Sequence, residues 1–400
     1  MKIKKILALI LCAVMSVGLF AACGDDEGGS APRGFGNLFG TEEEIDPYPL
    51  DTKVGFIYSG QVGSDPMIAI FELGRNQLER TLGAETFYME NVRVMQFEEA
   101  VEKMVGAGMN VIVAASNTFN SAVVLESRKY SDVFFVSFGG TDQSPNLASV
   151  QPQLYQAANV CGFTAAFNTY SNRVGMVVDN NLYNAYGVAN AFALGVRELQ
   201  QQPGQIGVSL NWALSSHHDD TRAAILDLIN QGCDIIFIYQ SDEYGIRLCE
   251  ELGVNVIAFA YNLPEIAPEQ YLTGMYLNLN TYLIDKVRKY MYGNTNSFGE
   301  LVQRGLLHGM VEMIGFEDSR VKPGTRDLAT ELRAIIMDER SLVFGGEIRD
   351  REGAIRVERG SSLYIAQIFT MRWLTSIIDT EKNFSEPLTE ITISDFTIKQ

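Results

Sequence analysis

The chain has 400 residues and a formal net charge of −18, with 49 acidic against 31 basic side chains. A surface that acidic repels phosphate backbones and anionic lipid, which excludes nucleic acid as a partner. Three histidines and five cysteines, none at metal-ligand spacing, point to no metal or other cofactor.

Lys2, Lys4 and Lys5 precede an uncharged apolar run from Ile6 to Phe20 and the small pair Ala21-Ala22 before Cys23. That order predicts a secretory leader over residues 1–22. The run of about 15 residues falls short of the ~20 that a membrane-spanning helix needs. Small residues directly before Cys23, with Leu19 and Phe20 upstream, resemble the bacterial lipobox, which implies a diacylglycerol on Cys23. Cleavage would remove three lysines and Cys12 and take the charge to −21. Residues 23–50, with Asp25, Asp26, Gly28, Gly29 and the run Glu42-Glu43-Glu44, lack apolar residues for a core and predict a flexible lipidated linker. Cys161, Cys233 and Cys249 remain, an odd number in apolar contexts, and predict buried free thiols.

The first strand is Lys53-Val-Gly-Phe-Ile-Tyr58, followed by a glycine loop and then Asp65-Pro66, an N-cap residue and a first-turn proline. Met67, Ile70, Phe71, Gly74, Leu78 and Leu82 follow at helical spacing. The alternation continues: strand 86–91, helix 97–105, strand 111–115, helix 119–129 and strand 133–138. A second series runs helix 153–170, strand 173–179, helix 183–199, strand 207–212, helix 220–229, strand 234–240, helix 244–252 and strand 255–260. Continuous Val, Ile and Phe runs predict strands covered on both faces. The fold class is α/β, two doubly wound parallel-sheet lobes joined by crossover strands. Ala100–Val113 aligns without gaps to Ala224–Phe237, each a helix closed by glycine before an apolar strand, which suggests duplication.

Lobe 1 is expected over residues 51–152 with 280–308 returning to it, and lobe 2 over 153–278 with 309–379 returning. Strands at 273–280 and 309–316 flank a helix at 282–292, and 345–357 reads as a final hairpin. Residues 380–400 remain an unplaced tail. A single chain is expected to act alone.

No catalytic residue is assigned. Gly-x-Ser-x-Gly, Cys-x-x-Cys and P-loop patterns are absent, and Gly60-Gln-Val-Gly63 lacks the dinucleotide-binding order. His217-His218 reads as a solvated helix start. Ligands of open α/β sheets bind at the carboxyl ends of strands. The candidates there are Ser64, Asp65, Met67, Asn117, Phe119, Gly139 and Gly140 in lobe 1, and Asp179, Asn180, Tyr183, Trp212, Tyr239, Asp242, Tyr261 and Asn262 in lobe 2. Rings to stack a flat ligand and amides or carboxylates to accept its donors suit a small hydroxylated molecule. Asp65, Asp179 and Asp242 would be the acid–base groups of an enzyme, the less favoured alternative.

Several stretches resemble the basic membrane protein family of substrate-binding lipoproteins: Lys53–Tyr58, Phe71-Glu-Leu-Gly-Arg75, Gly108–Val113, Gly232–Phe237, Gly309-Met-Val311 and Phe344–Gly353. The resemblance spans roughly residues 53–379 and implies a type I periplasmic-binding-protein fold. It further implies an exported protein, held by lipid at the outer face of the cell membrane, that closes on a purine nucleoside or related compound and presents it to an ABC permease. Related sequences carry Gly-Trp where this chain has Pro66-Met67, Trp where it has Leu277 or Leu279, Asp where it has Asn262, and Asn where it has Ala260. Those departures leave open a sensory or structural surface lipoprotein with altered or lost ligand binding.

Overall fold

The computed structural model describes residues 49–63, 65–199, 205–317, 319–338 and 342–380. The leader, Cys23, Ser64 and tail residues 381–400 lie outside them, as does nearly all of the linker. The first strand, β1 (Lys53–Ile57), feeds a loop that ends at Asp65. The Asp65 carboxylate accepts hydrogen bonds from the backbone N–H of Met67 at 2.8 Å and Ile68 at 3.3 Å. Two of the four orphan donors of the first turn are thereby satisfied, Pro66 has no N–H to satisfy, and α1 runs Pro66–Leu82. It stops at Gly83, whose φ of +66° is left-handed.

From there β2 (Glu85–Met89), α2 (Phe97–Gly106), β3 (Val111–Ala114), α3 (Asn120–Lys129), β4 (Phe134–Phe138) and β5 (Leu147–Pro152) complete one winding. The second winding is α4 (Leu154–Asn168), β6 (Arg173–Val178), α5 (Ala185–Glu198), β7 (Gly207–Trp212), α6 (His218–Asn230), β8 (Ile235–Tyr239), α7 (Tyr244–Leu252), β9 (Asn255–Phe259), α8 (Leu263–Ile266) and β10 (Tyr271–Leu277). After it come α9 (Asn280–Met291), β11 (Leu301–Arg304), β12 (Val311–Ile314), α10 (Thr325–Met337), the hairpin β13 (Ile348–Arg349) and β14 (Ile355–Val357), α11 (Ile365–Phe369) and β15 (Ile378–Asp379).

Two sheets result. The first has the order β11-β5-β4-β3-β1-β2 and is parallel throughout. The second has the order β12-β10-β9-β8-β6-β7-β15, with only β12 antiparallel. Both windings follow the same order, the first strand of each lying between its second and third. The aligned repeat occupies equivalent places, α2–β3 in one sheet and α6–β8 in the other, with Gly108 and Gly232 at φ +88° and +86°. The chain crosses between sheets after β5, after β10 and again between β11 and β12.

Several elements were not anticipated from sequence, the short α8, α11 and β15 among them, and three have a clear cause. β5 is a fully buried six-residue strand whose Ser149 and Gln151 interrupt the apolar pattern. β11 is a short edge strand of Leu-Val-Gln-Arg, too polar to be read as a strand. α10 follows the sequence-stretch Pro323-Gly324, whose turn chemistry masked a helix start. The three remaining thiols, Cys161, Cys233 and Cys249, are buried and free, as expected. No helix among the described residues is long and apolar enough to cross a membrane.

Helices α4 and α5 pack with almost no space between their backbones. A Cβ on Gly162 would lie 1.9 Å from the carbonyl oxygen of Phe192, and one on Gly195 would lie 2.0 Å from that of Asn159. Asn159 Nδ2 donates across the pair to the Ala191 carbonyl oxygen at 3.1 Å. The substitution Gly162→Ala must push the helices apart, so urea unfolding should show a loss of about 3 kcal/mol or no folded protein. A loss below about 0.5 kcal/mol would contradict this packing.

Candidate functional site

The strand-order reversal of each sheet falls between its first and third strands, β1/β3 in one and β6/β8 in the other. The loops leaving those four strands line a cleft shared by both lobes. The outer chamber has a volume of about 720 Å³ and is walled by Ser59, Gly60, Asp65 and Asn91 from one lobe and by Ser215, His218, Asp242 and Tyr244 from the other. A narrower space of about 150 Å³ leads inward past Met67, Asn117, Asp179 and Tyr183. Beyond it lies an inner chamber of about 590 Å³ that includes Gly139, Asn180 and Arg372. Tyr183 lines both the narrow space and the inner chamber, and its ring reaches so close to Gly139 that a Cβ there would lie 2.8 Å from it.

Three carboxylates line the cleft, Asp65 and Asp242 at the outer chamber and Asp179, with Asp65, at the narrow space behind it. Asp179, at the end of β6, is buried and held on both oxygens: Oδ2 accepts from the Ser215 backbone N–H at 2.8 Å and its hydroxyl at 2.6 Å, and Oδ1 from the Asn181 N–H at 2.9 Å. Ser215 Oγ in turn accepts from the Ser241 N–H at 2.8 Å, which ties the loops after β6, β7 and β8 together. Asp242 pairs with His218 Nε2 at 3.0 Å, and the His218 ring lies parallel to Tyr244 with centroids 4.2 Å apart. Burial raises the Asp242 carboxyl above its ordinary value, against the opposing pull of the Tyr244 N–H and His218. Burial likewise pushes Asp65 up to about 6; its Ile68 and Met67 donors resist the rise, and the charges of Asp242 and Asp179 add to it.

The remaining sequence candidates divide by which way their side chains face. Met67 and Asn117 line the inward passage, and Asn117, Gly139, Asn180 and Tyr183 line the inner chamber. Phe119 does not reach the cleft: it is fully buried in the core of its lobe, with its ring centroid 4.7 Å from that of Phe97. Tyr239 is fully buried too, donating from its hydroxyl to the Tyr183 carbonyl oxygen at 2.6 Å. Trp212 packs on Tyr186 at 5.0 Å, and Tyr261 sits half-buried against the core, so neither ring lines a chamber. Asn262 donates to Glu243 at 3.2 Å behind the outer chamber. Gly140 is wedged against Ser137 and Ser149, where a Cβ would lie 2.6 and 2.7 Å from their hydroxyl oxygens.

The sequence reading missed His218, Ser215, Ser241, Tyr244 and Arg247, all of which line the outer chamber. His217-His218 is a solvated helix start as read, since His218 opens α6 with its side chain 56% exposed, and His218 in addition pairs with Asp242 and lies parallel to Tyr244. A usable signal was present: Ser215 and Ser241 sit in the loops after β7 and β8, small polar residues beside strand-end carboxylates.

Residues 51–341 match the model of the Bmp family, described as ABC transporter substrate-binding protein, PnrA-like. The chain belongs to this family. A purine-binding protein of Brucella abortus (strain 2308) is 24% identical over 331 residues, covering 82% of this chain and 93% of the relative. Among solved structures, an ABC transporter solute-binding protein from Aeropyrum pernix K1 has a TM-score of 0.64 at 12% identity, over 75% of this chain and 93% of that one. A transcriptional activator of the comK gene from Bacillus halodurans has a TM-score of 0.62 at 16% identity, over 72% and 99%. At those identities the structures establish the fold, a type I periplasmic-binding-protein architecture. A substrate-binding protein of this family serves a small-molecule ligand and a permease.

Asp65 gives a measurable pH signature. Its carboxyl binds a proton more tightly when folded, so its contribution to stability is full below an unfolded pKa near 4 and is lost as pH rises through about 6. Asp65→Asn keeps a good N-cap and removes that loss. Relative to wild type, the variant should gain on the order of 1–2 kcal/mol more at pH 7.5 than at pH 4.5 in urea unfolding. An equal difference at both pH values would contradict the assignment.

Proposed function

We propose that the solute is a purine nucleoside or related compound held in the outer chamber and carried to a permease by closure of the two lobes. The observation that carries this reading is the run of three carboxylates along the cleft, Asp65 from one lobe and Asp242 from the other at the outer chamber, with Asp179 on the narrow space behind it. Three carboxylates accept the O–H and N–H donors of a sugar and base far better than they accept an anion. The parallel His218–Tyr244 pair presents a flat face to the same space. The purine-binding relative supports the ligand class. Because each lobe supplies acceptors, the ligand bridges them only when the cleft is shut, and the crossings after β5, after β10 and between β11 and β12 serve as the hinge. The lobes on this reading are residues 51–152 with 280–308, and 153–278 with 309–379. No chemical step is required of the chain.

Isothermal titration of the purified protein with adenosine, guanosine, inosine, free bases and glucose should show saturable one-to-one binding of a purine nucleoside. Asp242→Asn should weaken it by about 10- to 100-fold, the worth of a hydrogen bond to a charged group. No heat from any nucleoside or base would overturn the nucleoside reading. It would favour a sensory or structural lipoprotein instead. One observation already leans that way: Phe119, Trp212, Tyr239 and Tyr261 line neither chamber.

We also infer that Cys23 carries a diacylglycerol and that the acidic residues after it tether the body to the outer face of the membrane. Each buried methylene of such chains contributes about 0.8 kcal/mol. In Triton X-114 phase partition the protein made in a bacterial host should enter the detergent phase, and Cys23→Ser should move it to the aqueous phase. Aqueous partition of both would refute the anchor.

A further inference from the structure

The inner chamber differs in chemistry from the outer one, although the protein is strongly acidic overall. Among the described residues no Asp or Glu lines it, and its one charged group is Arg372 at the mouth. Arg372 contacts the Met371 carbonyl oxygen at 2.8 Å and lies 5.9 Å from the centre of the Tyr186 ring, and no carboxylate among the described residues pairs with it.

The neutral side chains around it also offer donors. Ser137 Oγ donates to Asn120 Oδ1 at 2.9 Å, and Gln303 Nε2 donates to Gln151 Oε1 at 2.7 Å. Both amide oxygens are thereby used, and the groups left to Asn120 and Gln151 are their NH2 donors. Asn184 Nδ2 and the hydroxyl of Tyr183 are buried without a partner, Tyr183 being only 4% exposed. Asn180 Oδ1 is the one orphan acceptor, suited to a protonated ligand oxygen.

The backbone adds to the same polarity. Asn184 caps α5 from the left-handed region at φ +53° and makes no side-chain cap hydrogen bond, so the positive end of a 14-residue helix opens on the chamber uncapped. Burying unpartnered donors costs free energy unless something accepts from them. Arginine, amide donors and a helix N-terminus without a side-chain cap together are complementary to a tetrahedral oxyanion.

We propose that the inner chamber binds a phosphate group, with Arg372 as its charged partner and Asn184 and Gln151 as neutral donors. The phosphate is either free or attached to the solute in the outer chamber, since the narrow space between them shares Asp65 with the outer chamber and Asn117 and Tyr183 with the inner one. The site does not depend on the nucleoside reading, and its failure is read separately.

The test is titration calorimetry of the full-length protein with inorganic phosphate, a purine nucleoside and the matching nucleoside 5′-monophosphate, for wild type, Arg372→Met and Arg372→Lys. Wild type should bind at least one phosphate-bearing probe saturably, Arg372→Met should weaken it about tenfold, and Arg372→Lys should weaken it less. Nucleoside affinity should not change in either variant, which also reports that both fold. A monophosphate that binds more tightly than phosphate and nucleoside alike, and competes with both, places the phosphate on the solute. Phosphate and nucleoside binding together and independently assigns the chamber to free phosphate. The proposal is overturned if neither phosphate nor monophosphate binds beyond the nucleoside itself, or if Arg372→Met binds them as tightly as wild type. Phosphate binding without nucleoside binding would overturn only the proposed solute.

Discussion

Parallel strands leave their sheet at one end, and a right-handed winding whose order reverses between the first and third strands must open a crevice there. This chain does so twice, and the carboxyl ends of both sheets face the same cleft. The cleft carboxylates depend on that constraint. Asp65 follows β1, Asn117 follows β3, Asp179 follows β6, and Asp242 follows β8. Residues more than a hundred positions apart become neighbours because the topology admits no other exit for those loops.

The cleft that results is expensive to keep empty and ionised. Asp65 and Asp242 both hold protons more tightly than free carboxyls do, chiefly because they are buried. Asp179 is held on both oxygens by Ser215 and the Asn181 amide, whereas Asp65 accepts backbone donors on Oδ1 alone and Asp242 accepts from Tyr244 and pairs with His218, both of them lining the outer chamber. A solute that donates hydrogen bonds to Asp65 and Asp242 relieves their desolvation only when both lobes approach it. On the proposed reading closure and recognition are one event. The inner chamber has the reverse polarity, with Arg372 and free amide donors on the far side of Tyr183. A long acidic protein surface makes that local reversal the more pointed.

The windings were legible because alternating apolar strands and amphipathic helices leave strong periodic marks, and glycine ends such as Gly108 and Gly232 punctuate them. Asp65, Asp179 and Asp242 were legible as candidates because ligands of open α/β sheets bind at the carboxyl ends of strands, although Asp65 also caps α1. Ring orientation was not. Phe119 and Tyr239 lie beside the right loops, yet their side chains turn into the core, where a large apolar ring gains more by burial. His218 escaped because adjacent histidines before acidic residues look like a solvated helix start, and only the approach of the β8 loop brings Asp242 within 3.0 Å of it. β11 and β15 escaped because edge strands are short and need little apolar surface, and pairing with a neighbour, not periodicity, defines them.

A crystal structure of the protein grown with a saturating purine nucleoside would test the central claim most directly. The account predicts the nucleoside in the outer chamber, with its donors within hydrogen-bond distance of Asp65 on one side and of Asp242 on the other, and with the lobes closed upon it. A nucleoside bound outside the cleft, or an open cleft holding none at saturating concentration, would contradict it.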